Sequence, residues 1–247
     1  MERLQSVLLL LLVIALPALS PGTAHAMHIA EGILPAPWAF FWFALSAPFI
    51  WIGLRTLRLR SAQEPQYKAL AGLLGAGVFV ISAMPIPVFT AGTCSHPCGT
   101  GIAAILIGPS VTVVLASIAL TLQALFLAHG GLTTLGANIL TMGVAGAFTG
   151  YGVFVVAKRL GAPWMVAAFL AGLLSDWITY AATSLILALG LHGDAALGTM
   201  FASIAIAFIP TQVPLGILEG FMAAGAYRFV LNRRPEFLGM LAKGGAL

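Results

Sequence analysis

Long, nearly continuous apolar runs fill most of this chain, and short polar or Gly/Pro-rich stretches separate them. Such runs predict membrane-spanning helices. The alternating pattern of a lipid-facing β-barrel strand is not seen. The apolar run Val7–Leu16 is too short to span comfortably. Behind it, Pro17, Pro21 and Gly22 break the helix, and Ala24-His25-Ala26 has the small-x-small form of a cleavage site. With Arg3 ahead of it, the segment 1–26 reads as a secretory signal peptide, so that the mature chain is 27–247 and begins at Met27.

Within the mature chain, Trp38–Leu54 is a span ending at the basic stretch Arg55–Arg60, and Ala69–Ala83 is a second, Gly/Ala-rich run. Met84–Gly101 is an irregular loop. Ile102–Leu127 is a long run broken at Gly108-Pro109, where proline ends a helix and biases the residue before it away from one. Ala128–Ala137 is another loop. Asn138–Ala157, Trp164–Leu189 and Gly198–Tyr227 are further spans, the last with Pro210 and Pro214 as expected kinks.

Composition sharpens this. Of 247 residues, 60% are hydrophobic and only 7% are charged, against about a quarter charged in a soluble domain. A soluble globular enzyme and a disordered chain are both excluded. The net charge of +4 comes from basic residues clustered between apolar runs, without interleaved aromatics, which argues for topogenic charge and against nucleic-acid binding. Placing Arg55–Lys68 and Lys158-Arg159 both in the cytoplasm requires an even number of crossings between them. A short inward helix, Gly101–Gly108, followed by an outward return, Pro109–Leu127, supplies the missing crossing. The fold class that follows is an all-α polytopic membrane protein. It has seven segments in one bundle, an extracytoplasmic mature N-terminus and a cytoplasmic C-terminus. An eight-residue helix cannot face lipid as a full span, so it must be buried among the others or line a cavity.

This topology puts His28, His96, His129 and His192 all on the external side. A free amine followed by histidine, as in Met27-His28, offers three nitrogens in fused chelate rings: the amine, the His28 amide and the imidazole Nδ1. A second imidazole completes a planar set suited to Ni(II), Cu(II) or low-spin Co(II). His96 sits between Cys94 and Cys98 in a Gly/Pro-rich loop. It reads either as a ligand or as a helix-entry residue bonded to backbone, and the two thiols alone make a weak zinc signal. His129-Gly130-Gly131 and Asn138 form a third polar group. Asp176 and Glu219 lie within apolar runs, where carboxylates are costly and usually functional or paired. Walker A, H-E-x-x-H and G-x-S-x-G sequences are absent.

The start Met27-His28-Ile29-Ala30-Glu31-Gly32 resembles the CbiM/NikM family, the substrate-binding subunits of cobalt and nickel energy-coupling-factor transporters. So do Cys94-Ser95-His96-Pro97-Cys98-Gly99-Thr100-Gly101, Ile107-Gly108-Pro109 and Leu127–Asn138. These motifs reach from Met27 to about Gly152, and the C-terminal third matches by hydropathy. The resemblance implies metal ligation by the Met27 amine, the His28 amide and imidazole, and the His96 imidazole. Read from their own positions, Glu31, Ser95, His129 and Asn138 are candidates for orienting the ligands, and His129 reads equally as an interfacial polar residue.

The resemblance further implies a cobalt importer subunit of the bacterial inner membrane, supplying cobalamin biosynthesis. Such a subunit has no cofactor and no ATPase of its own. It works with a transmembrane coupling subunit, cytoplasmic ATPases and a small accessory membrane protein. Cys98 stands where the family usually has threonine, which bears on metal preference and redox sensitivity. Nickel import is the near alternative. An intramembrane metalloenzyme using His96, His129 and Asp176 is the remote one.

Overall fold

A computed structural model describes residues 25–26, 28–84, 86–88 and 93–235. The expected leader before His25 and the amine-bearing Met27 lie outside the described residues. Among the described residues there are seven helices: α1 (Ala36–Gln63), α2 (Gln66–Ser82), α3 (Thr100–Ile107), α4 (Pro109–Phe126), α5 (Leu135–Arg159), α6 (Trp164–Leu191) and α7 (Leu197–Arg233). Five of them, α1 and α4 to α7, are long and apolar enough to cross a membrane; α2 has 17 residues and α3 has 8.

The helix ends follow local chemistry. Pro35 and Pro37 open α1, where a missing N–H costs nothing and the fixed φ suits a first turn. The helix then continues beyond the apolar run, carrying Arg55, Arg58 and Arg60 in its last turns. Arginine is a good helix former and its charge favours a helix C-terminus, so the helix outlasts the hydrophobic signal. Likewise α7 runs unbroken through Pro210 and Pro214. Helix neighbours in a membrane bundle can compensate the backbone groups that proline frees. In α5, Ile139–Gly146 is wound as a wider π-helix, a form often found at functional sites.

The break at Gly108-Pro109 is present. Gly108 has φ +93 and ψ 150, a conformation reserved for glycine, and separates α3 from α4. All eight residues of α3 are buried, as a helix too short to span must be. Its far end is fixed by the Tyr67 hydroxyl, which donates to the Ile107 carbonyl at 2.8 Å. Tyr67 lies in the first turn of α2, so α3 ends at the basic side of the bundle. Eight residues rise only about 12 Å against a hydrocarbon core of about 30 Å. The segment preceding α3 therefore reaches deep into the bundle.

Two stretches of that segment form short strands. Ile86–Val88 (β2) pairs antiparallel with Thr93–Ser95 (β3), and His25–Ala26 (β1) pairs parallel with β3, giving the order β1-β3-β2. The most extensive helix pair is α6 with α7. It is drawn close by Gly172, where an added Cβ would lie 2.5 Å from the Glu219 carbonyl and 2.8 Å from Ala223 Cβ. Large apolar side chains such as Trp51, Phe126, Phe221 and Phe229 point outward, as lipid contact requires.

Candidate metal centre

The N-terminal segment is pinned to the start of α5. Asn138 accepts the Ile29 N–H at Oδ1 (2.9 Å) and donates from Nδ2 to the Ile29 carbonyl (3.1 Å). The Thr134 hydroxyl donates to the same carbonyl. Two glycines make room. A Cβ on Gly130 would stand 3.1 Å from His28 Cβ, and one on Gly131 would stand 2.6 Å from the Glu31 backbone. The Glu31 carboxylate, which is exposed, accepts the Thr133 N–H at 3.1 Å, and hydrogen bonding with the Thr133 side chain first, and with this N–H, lowers its pKa. Four residues from Glu31 back to His28 are thus laid against the 130–138 segment.

His28, His96 and His129 meet there. Their rings lie 4.6 Å (His28–His96), 4.8 Å (His28–His129) and 5.0 Å (His96–His129) apart, centroid to centroid. One nitrogen from each falls within 4.8 Å of the others. His28 and His96 are buried and His129 is half-buried.

Hydrogen bonds fix which nitrogen is free. Gln123 Nε2 donates to the Ser82 hydroxyl (2.7 Å) and the Phe79 carbonyl (3.3 Å). Its Oε1 therefore faces His28 Nε2 at 3.0 Å and can only accept. The proton of neutral His28 sits on Nε2, which leaves the Nδ1 lone pair for a metal. His96 is the mirror case. Its Nδ1 lies 3.0 Å from the Pro97 carbonyl and carries the proton, while its Nε2 is buried with no hydrogen-bond partner among the described residues. The Nε2 of His129 is likewise buried and unpartnered. Desolvation by burial lowers the pKa of all three, that of His96 to about 3, and mutual repulsion lowers His28 and His96 further. At neutral pH the rings are uncharged, which is the form that binds metal.

Of the residues expected to orient the ligands, Asn138 and Glu31 hold the N-terminal segment, whereas the His129 ring packs directly against those of His28 and His96. Ser95 points elsewhere: its hydroxyl lies 3.2 Å from that of Thr211, and it accepts from Gln212 at 2.7 Å. The His96 backbone is tied through its carbonyl to the Tyr180 hydroxyl at 3.3 Å. Cys98 is a free, buried thiol, and the side chain of Cys94 lies outside the described residues. Sequence reasoning missed Gln123 and Ser82. The signal was there, since an amide three residues from the end of the apolar α4 has no structural use except to meet a buried polar partner.

The family model described as "Cobalt uptake substrate-specific transmembrane region" (CbiM) matches residues 28–237. The chain is 60% identical over 215 residues to the cobalt transport protein CbiM of Sorangium cellulosum, covering 87% of this chain and 96% of that one. It is 56% identical over 227 residues to the cobalt transport protein CbiM of Geobacter sulfurreducens, covering 91% of this chain and 66% of that longer one. Among solved structures, a truncated transition metal transporter superposes with a TM-score of 0.72 at 23% identity, covering 83% of this chain and 98% of that one. The last likeness is one of fold.

Proposed function

Since the chain belongs to the CbiM family of cobalt-uptake substrate-specific transmembrane regions, we propose that it captures Co2+ at the histidine cluster, using the amine exposed by removal of residues 1–26. It is a multi-pass membrane subunit of cobalt uptake. The Met27 amine, the His28 amide (which releases its N–H proton to solvent on binding), His28 Nδ1 and His96 Nε2 supply four nitrogens. A planar set of this kind is suited to low-spin Co2+ and to Ni2+. The observation that carries the reading is the pair of acceptors facing the two rings, the Gln123 Oε1 at His28 Nε2 and the Pro97 carbonyl at His96 Nδ1. Gln123 frees Nδ1 of His28, the nitrogen that closes a chelate with the amide and amine, and Pro97 frees Nε2 of His96. His129, whose Nε2 is without a hydrogen-bond partner among the described residues, brings a further nitrogen within 4.8 Å of one on each of the other two rings. Leader cleavage also removes β1, the strand that pairs with β3.

In this reading all seven helices cross or re-enter the bacterial inner membrane. The mature N-terminus is outside, and the ends bearing Arg55–Arg60, Lys158-Arg159 and Arg233 are inside. A metal can shift a conformational equilibrium only by its differential affinity for the two states, so accumulation against a gradient needs energy from elsewhere. That energy comes from ATPase subunits joined through a transmembrane coupling subunit, with a small accessory membrane protein, as the energy-coupling-factor arrangement has it. The cobalt supplies cobalamin synthesis.

The test is Co2+ uptake by cells carrying those partners and either the native chain, a variant with alanine inserted between Met27 and His28, or His96→Ala. Both variants are expected to insert normally and lose uptake and binding. Native uptake by either would refute the four-nitrogen site, and uphill uptake without ATP would refute the coupling.

A further inference from the structure

Two residues beyond His96, the same segment turns a second group of donors inward. Cys98, Asp176 in the middle of α6 and Glu219 in α7 are all fully buried, and one ligand atom of each lies within 4.8 Å of the other two. The Glu219 carboxylate accepts the Cys98 N–H at 2.7 Å and the Gly99 N–H at 2.9 Å, which holds the backbone at Cys98 against α7. Asp176 Oδ1 lies 3.7 Å from Cys98 Sγ. Its other oxygen, Oδ2, is buried with no partner among the described residues. Gly216 leaves room beside it, since a Cβ there would come within 3.2 Å of Oδ2.

None of the hydrogen bonds made to these carboxylates by described residues comes from a lysine, arginine or histidine. Two carboxylates and a thiol taken out of water either stay neutral by holding protons or give those protons up to a cation. We propose that Cys98, Asp176 and Glu219 form a second divalent-cation site, deeper in the bundle than the histidine cluster. One thiolate and two carboxylates favour a borderline transition ion such as Co2+ or Zn2+, while the sulfur disfavours Mg2+ and Ca2+. On binding, the thiol proton and any proton held by the carboxylates leave to solvent, and the ion takes their place. Four-coordinate geometry is completed by a water. The site's role as a station for an ion moving inward from His96 rests on the transport reading; its binding chemistry does not.

The experiment is Co2+ titration of the purified, N-terminally verified protein under a phosphine reductant, followed by metal content and absorption. The native chain is expected to take two ions, with a near-ultraviolet thiolate-to-cobalt charge-transfer band appearing at the second. Cys98→Ser should lose the band, Asp176→Asn should weaken the second equivalent at least tenfold, and His96→Ala should lose the first ion while keeping the band. Unchanged thermal midpoints establish that the variants are folded. One ion and no band in the native protein, or a band unchanged in Cys98→Ser, would overturn the proposal and leave protons as the neutralising charge. Two ions and the band without any cellular uptake would sink the transport reading and leave this site standing.

Discussion

Gln123 is buried and touches no metal donor atom, yet it decides which nitrogen His28 offers. Replacing it with leucine removes the acceptor at His28 Nε2 and strands the Ser82 hydroxyl, although that hydroxyl keeps its own bond to the Val78 carbonyl (2.6 Å). With no acceptor at Nε2, the proton is free to move to Nδ1 and block the chelating lone pair. Loss of a hydrogen-bond partner behind a ligating histidine typically costs 10–100-fold in metal affinity, or about 1.4–2.7 kcal/mol. Gln123→Glu keeps an acceptor at Nε2, and the Ser82 hydroxyl can turn to donate, so its loss should be much smaller. The assay is Co2+ competition against a chelator, with the His28 tautomer read by 15N NMR of the metal-free protein. If Gln123→Leu binds Co2+ at native affinity with its Nε2–H tautomer intact, the positioning argument is wrong.

Other consequences follow from the same geometry. Gly131→Ala places a methyl 2.6 Å from the Glu31 backbone and should displace the N-terminal segment, abolishing Co2+ binding while the helices persist by circular dichroism. Asn138→Leu removes both bonds to Ile29 and should weaken Co2+ affinity by about tenfold or more, as loss of positioning partners does. Gly108→Ala forces a side chain into a glycine-only conformation and should lower stability by about 1–3 kcal/mol, measured as a shift in the unfolding midpoint. The three histidines are depressed below their usual pKa, so between about 6.5 and the folded value near 3 for His96 the unfolded chain binds more protons than the folded one. Metal-free protein should therefore lose stability as pH falls below about 6.5. Co2+ affinity should also fall steadily as pH drops from about 8 to 6, because the amine must lose a proton to bind the metal, and an affinity unchanged across that range would contradict amine ligation.

Much of the architecture was legible because lipid imposes one demand, a continuous apolar run, and the sequence meets it without ambiguity. The break at Gly108-Pro109 and the burial of α3 followed from counting crossings between basic clusters and from the impossibility of an eight-residue span. Helix ends were less legible. Arg55–Arg60 continue α1 because polarity does not stop a helix, and Pro210 and Pro214 do not interrupt α7. At the candidate site, spacing and resemblance singled out His28 and His96, and the structure brings their rings together. The place of His129 beside those two rings, and the joining of Asp176 to Glu219 across α6 and α7, arise from packing between segments far apart in sequence. The short strands at Ile86–Val88 and Thr93–Ser95 were hidden by the Gly/Pro content of their loop.

The central claim is that metal capture needs the amine created at Met27. The most direct measurement compares Co2+ affinity of the processed chain with that of a chain whose cleavage is blocked by Ala24→Leu and Ala26→Leu, the N-terminus of each being verified by intact mass. The processed chain, beginning at Met27, should bind tightly, and the blocked chain, retaining residues 1–26, should insert in the membrane but lose high-affinity binding. Equal affinity in a blocked chain that still carries its leader would contradict the account.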